Sequence, residues 1–224
     1  MATFVLIPGA ATGPDYWSPL VAALHDRGHG SVTPDLPCED DSAGLAEYAD
    51  TVVAAAAGHP DPVVVGHSLG GFTAPLVCDR LPVRQLVLLS AMIPAPGETV
   101  DQWWSTTGYR QARAELDAAD GLDPDDPLAL YCTGVDPEVA RRQLARSRPQ
   151  SGTPCGQPWP LAAWPDVPTR FLLCRDDRFF PAPFMRELVR TRLGIEPEEV
   201  PGGHLAVLSH AGEIADQLVS GLRD

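Results

Sequence analysis

With 224 residues, 44% of them apolar and 21% charged, the chain has the make-up of one globular domain able to bury a sizeable core, which excludes a disordered or fibrous polypeptide. Its net charge of −14 comes from 30 acidic residues against 16 basic ones, all arginine; that balance excludes nucleic acid and anionic membrane as partners, since both need a basic surface. The lack of lysine removes any Schiff-base or lysine-nucleophile mechanism. No stretch approaches the roughly 18 uninterrupted apolar residues of a membrane span, and no basic leader precedes the first strand-like run, so a soluble, cytoplasmic protein is expected. Five cysteines, an odd number without C-x-x-C pairs or Cys/His ligand spacing, predict free thiols in a reducing compartment.

The chain opens on an apolar run, Phe4 to Ile7, followed by the Gly-rich loop Pro8-Gly9-Ala10-Ala11-Thr12-Gly13 and a helical stretch from Trp17 to Arg27. A weaker strand signal covers Ser31 to Thr33, with Asp35 after it expected to cap the next turn. Helix Leu45 to Ala57, strand Val63 to Val65, helix Phe72 to Leu81 and strand Leu86 to Leu89 come next. After a long interval the rhythm resumes with strand Phe171 to Cys174, helix Phe184 to Leu193, a weaker strand within Ile195 to Val200, and helix Ala211 to Leu222. The strand runs are continuously apolar instead of alternating, which predicts burial on both faces. Strand and helix alternate, which predicts an α/β fold with a parallel sheet. The interval, roughly Pro94 to Pro168, has no strand-like run but holds Trp103, Trp104, Trp159 and Trp164 and the helical candidates Gly108 to Ala119 and Pro137 to Ser147. It is too long for an ordinary loop and predicts a small helical cap over the strand ends, with the Pro-rich stretch Pro149 to Pro168 as its return path.

The chemistry-bearing motif lies where strand Val63 to Val65 meets the next helix, at Gly66-His67-Ser68-Leu69-Gly70-Gly71. A G-x-S-x-G in a strand-to-helix turn holds its serine in a strained conformation with the hydroxyl exposed above the sheet, and side chains at Gly66 and Gly70 would collide with the neighbouring helix and strand. A serine hydroxyl needs a base within hydrogen-bond reach and a carboxylate to orient that base. His204, in Pro201-Gly202-Gly203-His204-Leu205 after the last strand candidate, is placed to be the base. His25 and His29 flank Gly28 at a helix end, His59 sits in a turn, His67 belongs to the motif itself, and His210 begins the final helix. For the carboxylate, strand Phe171 to Cys174 ends in Arg175-Asp176-Asp177-Arg178-Phe179-Phe180-Pro181, and either aspartate could reach the imidazole. No carboxylate closely follows Leu86 to Leu89, where Ser90-Ala91-Met92 stands.

Taken together, the opening strand with its Gly-rich loop through Trp17, the Ser68 turn, Met92-Ile93-Pro94, the spacing from Asp177 to Pro181 and the Gly-Gly-His resemble the α/β-hydrolase superfamily, and within it the small branch of plant methyl esterases and hydroxynitrile lyases. The resemblance covers essentially the whole chain. It implies an α/β-hydrolase fold of about six mostly parallel strands flanked by helices, with a core of residues 1–93 and 169–224 and a helical cap of residues 94–168 inserted after the fourth strand. In such families the triad acid stands four residues before the proline, which selects Asp177, and the backbone N–H groups of Ala10 and Leu69 form the oxyanion hole. Pro8-Gly9 stands where relatives begin this loop with His-Gly, so the loop's support is unassigned. The lyases carry Thr in the loop and Lys after the histidine, where this chain has Gly9 and Leu205; without a cation to hold a leaving cyanide, lyase chemistry is not expected.

The resulting expectation is a serine hydrolase that cleaves a carboxylic ester of a small apolar or aromatic substrate through an acyl-enzyme on Ser68, with no metal or organic cofactor. Met92, Trp103, Trp104, Trp159, Trp164, Phe179 and Leu205 are expected to wall the pocket. A thioesterase or acyl-transferring tailoring enzyme would share the triad, and a non-catalytic ligand-binding protein could share the scaffold. The expected partner is the small-molecule substrate, with a homodimer left open. A dinucleotide site is excluded, because the first loop offers G-x-x-x-G and not G-x-G-x-x-G.

Overall fold

The computed structural model describes residues 1–121, 123 and 125–222. The apolar runs form strands β1 (Thr3–Ile7), β2 (Gly30–Val32), β3 (Val63–His67), β4 (Gln85–Leu89), β5 (Thr169–Cys174) and β6 (Glu198–Val200). They pair in one six-stranded sheet of order β2-β1-β3-β4-β5-β6, parallel throughout, with Val65 opposite Leu6 on one side and Val87 on the other. The last strand is shorter than the run from Ile195 suggests. Pro197 has no N–H to give a ladder, so pairing starts at Glu198.

Alternate side chains along each strand enter opposite layers, as a period of two requires. Val5, Ile7, Val64, Leu86, Leu88, Phe171 and Leu173 join one hydrophobic cluster. Phe4, Leu6, Val63, Val65, Val87, Leu89 and Leu172 join the other. Helix α1 (Ser18–Asp26) covers the second face with Leu20 and Leu24. Helices α2 (Leu45–Ala55) and α3 (Gly70–Cys78) cover the first; α2 presents Leu45, Tyr48, Ala49 and Val52, a spacing that puts all four on one face.

Between β4 and β5 the chain forms α4 (Val100–Thr106), α5 (Tyr109–Asp120), α6 (Pro127–Tyr131), α7 (Pro137–Ala145) and the single turn α8 (Thr153–Gly156). Periodicity had marked only α5 and α7. The shorter helices are fixed locally by their caps: Thr99 and Gln102 form a reciprocal capping box on α4, and Asp126 caps α6 just before Pro127. The buried residues of this insert extend the layers of the sheet, Val100, Trp103 and Trp159 on one face and Cys132, Val135 and Ala140 on the other. Helices α9 (Ala182–Leu193) and α10 (Ala211–Ser220) then complete the two layers. Asp35 does not cap a turn; its carboxylate accepts from Arg148 Nη1 at 2.5 Å, because the insert's return path runs past it.

Candidate active site

Because all six strands are parallel, their C-terminal ends open on one edge of the sheet, and the turns there carry Ser68, Asp177 and His204. Ser68 occupies the tight turn between β3 and α3 at φ 52°, a left-handed conformation that a residue with a β-carbon adopts only when its surroundings hold it. The flanking glycines supply the room. A Cβ on Gly66 would lie 2.8 Å from the Ala74 Cβ, and one on Gly70 would lie 2.9 Å from the carbonyl oxygens of Ile7 and Pro8, as the sequence predicts. The carbonyl of Ser68 is held by the N–H groups of Gly71 and Met92.

His204 follows β6 and precedes a short 3-10 turn, Ala206–Leu208. Its Nε2 lies 3.0 Å from Ser68 Oγ and its Nδ1 lies 2.8 Å from Asp177 Oδ2. The carboxylate can only accept at Nδ1, which leaves Nε2 with a lone pair facing the hydroxyl proton. The other carboxylate oxygen of Asp177 accepts from the backbone N–H groups of Phe179 and Phe180, at 2.8 and 2.9 Å. The turn after β5 therefore holds the acid through bonds that do not involve the imidazole. Asp176 takes another course: its carboxylate accepts from the Gly202 N–H at 3.1 Å and its backbone N–H returns a bond to the Gly202 carbonyl. The geometry thus separates two neighbours that composition left equivalent. All three relay residues are buried, with exposures of 8% for Ser68, 3% for Asp177 and 4% for His204.

The imidazole is confined by rings, Phe179 at 4.8 Å and Phe180 at 5.0 Å edge-on, and His67 at 4.8 Å. His67 also donates from Nε2 to the carbonyl of His204 at 2.9 Å. Burial, and after it the neighbouring His204, pushes the His67 imidazole down to about 3, so it stands beside the relay as a neutral donor. The two amides proposed from resemblance, Ala10 and Leu69, donate to no protein group among the described residues. A Cβ on Gly9 would come within 2.9 Å of the Ser68 Cβ, so the loop carrying Ala10 lies directly over the serine.

A cavity of about 310 Å³ opens onto Ser68 and His204, and its walls include Thr12, Tyr131, Gln143, Leu144, Phe179 and Leu205. Of the expected wall residues, Phe179 and Leu205 are present, and the other five are not. Trp103 and Trp159 are fully buried, each donating its indole N–H inward, to the carbonyls of Ile93 and Phe72. Trp104 packs on Tyr109 and Trp103, Trp164 packs on Trp159, and Met92 is buried in the core. For Trp103 and Trp159 the reason is size: an indole contributes most where it is wholly removed from water with its N–H satisfied. The other side chains that line the cavity, Thr12, Tyr131, Gln143, Leu144 and Ser147, are not among the expected wall residues, although α7 carries a readable signal. Ala140 faces the core, while Gln143 and Leu144, one turn on along the same face of α7, line the cavity, and Ser147 joins them just beyond the helix end. A larger, more open groove of about 470 Å³ lies on the far side of Asp177, between Asp176, Arg178 and His210, and does not reach Ser68. Among the described residues no three His, Cys, Asp or Glu side chains come together in a way that could hold a metal ion, and no helix is long and apolar enough to cross a membrane.

A relay of this kind at the C-terminal edge of a parallel sheet defines a hydrolase-type α/β protein, and the comparisons give the class its name. Residues 4–217 match the alpha/beta hydrolase family, and the chain belongs to it. It is 39% identical over 108 residues to the probable esterase PIR7A of Oryza sativa subsp. indica, a match covering 42% of this chain and 41% of that protein. The chain thus spans about two fifths of the length of that rice relative. It is 27% identical over 244 residues to the carbendazim hydrolyzing esterase of Nocardioides sp. (strain SG-4G), covering 98% of this chain and 99% of the relative. Among solved structures, an extracellular alpha/beta-hydrolase from a Paenibacillus species superposes with a TM-score of 0.81 over 100% of both chains at 20% identity, a likeness of fold.

Proposed function

We propose that this chain is a serine carboxylester hydrolase acting on a small, uncharged ester with an apolar or aromatic part. The observation that carries this reading is the unbroken relay from Ser68 Oγ through His204 to Asp177, at 3.0 and 2.8 Å, beside a cavity that Ser68, His204 and Ala10 help to line. Ser68 attacks the acyl carbon as His204 Nε2 takes its proton, and Asp177 holds the imidazole tautomer and stabilises the imidazolium. The negative oxygen of the tetrahedral intermediate is received by the Ala10 and Leu69 amides. His204 gives its proton to the departing alcohol. Water, deprotonated by the same imidazole, then attacks the acyl-enzyme and releases the acid and Ser68.

The cavity wall supports the substrate class. It offers Tyr131, Phe179, Leu144 and Leu205 to an apolar group and, among the described residues, no arginine to a carboxylate. The esterases among its relatives support the same chemistry. All five cysteines are unbridged, which supports a reducing, intracellular setting. A pocket used only for binding has no need of a complete relay, which weighs against the non-catalytic reading.

The test is the intact mass of the protein after exposure to an organophosphonate. One adduct on the wild type and none on Ser68→Ala is expected, together with loss of chromogenic-ester turnover in the variant by about 10⁵- to 10⁶-fold. An adduct that persists in Ser68→Ala would remove the assignment.

A further inference from the structure

The loop that carries the Ala10 amide begins Pro8-Gly9, and within it the Thr12 hydroxyl donates to the Ala10 carbonyl at 2.9 Å. Support from outside the loop comes from the insert. Ala11 stands at φ 56°, in the left-handed region that a residue with a β-carbon avoids unless it is held. Both of its backbone polar groups are engaged by one short strip of the insert's return path. The Ala11 N–H donates to Gln150 Oε1 at 3.0 Å, and the Ala11 carbonyl accepts from the Arg148 N–H at 2.9 Å. The strip is itself anchored. Gln150 Nε2 donates to Tyr48 Oη at 3.0 Å and to the Ser151 carbonyl at 3.1 Å, which fixes which end of its amide faces Ala11. The Ser151 N–H donates to the Cys38 carbonyl at 2.7 Å, and Arg148 Nε pairs with Glu39 at 2.8 Å. On the other side of Ala10, Gly9 lies against Ser68. Ala10 is thus set between a residue pressed on the serine and a residue clamped by the insert.

From this placement we propose that Gln150 is a positioning residue for the oxyanion hole: it acts through Ala11 to aim the Ala10 N–H at the oxygen that becomes negative in the tetrahedral intermediate. The assignment rests on the serine-esterase reading above. It has a definite kinetic signature. The clamp touches no substrate, so its loss leaves ground-state binding alone and weakens the transition state. Removing one oxyanion donor outright typically costs 10²- to 10³-fold in kcat; a donor that is misaimed and not deleted should cost about 10- to 100-fold.

The decisive experiment compares Gln150→Leu and Gln150→Glu with wild type on p-nitrophenyl acetate and measures inhibition by a phenylboronic acid, whose tetrahedral adduct on the serine places an oxygen in the same hole. Gln150→Leu keeps the volume and removes the acceptor. It is expected to lower kcat about 10- to 100-fold with KM within about twofold, and to weaken the boronate by the same factor as kcat/KM. Gln150→Glu keeps an oxygen facing Ala11 but sets its second oxygen against the Ser151 carbonyl, so it is expected to recover part of the loss and to exceed Gln150→Leu in kcat. Should Gln150→Leu fail to fold, Gln150→Asn, one methylene too short to reach Ala11, takes its place with the same expectation. A wild-type kcat in the variant, or a loss of kcat/KM with unchanged boronate affinity, overturns the assignment. With Ser68→Ala inactive, such a result leaves the esterase reading standing; an active Ser68→Ala removes both.

Discussion

The turns that hold Ser68 and Asp177 and the helical insert between β4 and β5 both bury their side chains, but for different reasons. In the turns, burial serves hydrogen bonding: every heteroatom of the Asp177 carboxylate has an assigned donor, and the imidazole between acid and serine is held at both nitrogens. In the insert, burial serves packing. Its two fully buried tryptophans, Trp103 and Trp159, are driven into the layers of the sheet, and the cavity is left to smaller residues of α6 and α7. The difference teaches that an aromatic-rich insertion over a strand edge need not be the substrate's wall; it can be the extension of the core that keeps the wall in place.

The sharpest way to break this contrast is at the carboxylate pair. In Asp177→Asn the side-chain oxygen can still accept from Phe179 and Phe180, while the new amide donates to Nδ1 and forces the proton of His204 onto Nε2, where it can no longer accept from Ser68. Turnover is expected to fall by about 10⁴-fold in ester hydrolysis assays. Asp176→Asn, whose oxygen keeps its bond to Gly202, should stay within about fivefold of wild type. Comparable losses in the two variants would erase the distinction drawn between them. The complementary change is Trp103→Ala. It should destabilise the protein by about 3 to 5 kcal/mol in denaturant titrations yet leave kcat and KM of the folded fraction near wild type. A large rise in KM at full stability would return the indole to the pocket.

A smaller effect should appear in acid. The His67 imidazole is held down to about 3 in the folded protein, whereas in the unfolded chain it titrates near about 6.5. Between those values the unfolded state binds the extra proton, so stability is fully present above the unfolded value and is lost as pH falls through the window. From pH 7 to pH 5 this single group should remove about 2 kcal/mol, and His67→Asn should flatten the profile over that range. Equal slopes for wild type and variant would contradict the neutral donor assigned to His67.

The sheet and the relay could be read from the chain because they rest on local patterns. Continuously apolar runs such as Val63 to Val65 admit little except a doubly covered strand, and the glycines around Ser68 announce a close approach that the structure confirms. The helices α4 and α6 were equally local in origin, written in Thr99 with Gln102 and in Asp126 with Pro127, but they are too short to show a period. The cavity was not legible. Apart from Phe179 and Leu205, its wall residues such as Tyr131 and Leu144 come from separate elements, and only long-range packing decides which of several apolar residues meets solvent. Gln150 escaped for the same reason, since its contact with Ala11 spans 139 positions of sequence.

The margins of the sheet carry a consequence of their own. Both outer strands, Gly30–Val32 and Glu198–Val200, are three residues long. One of them bears two adjacent glutamates, Glu198 tied to Arg170 and Glu199 to Arg186. A second molecule adding a strand there would find a ladder too brief to compensate for dehydrating those charges. This architecture selects against a continuous sheet running through two molecules, and with it against the edge-to-edge polymerisation to which exposed β-structure is prone.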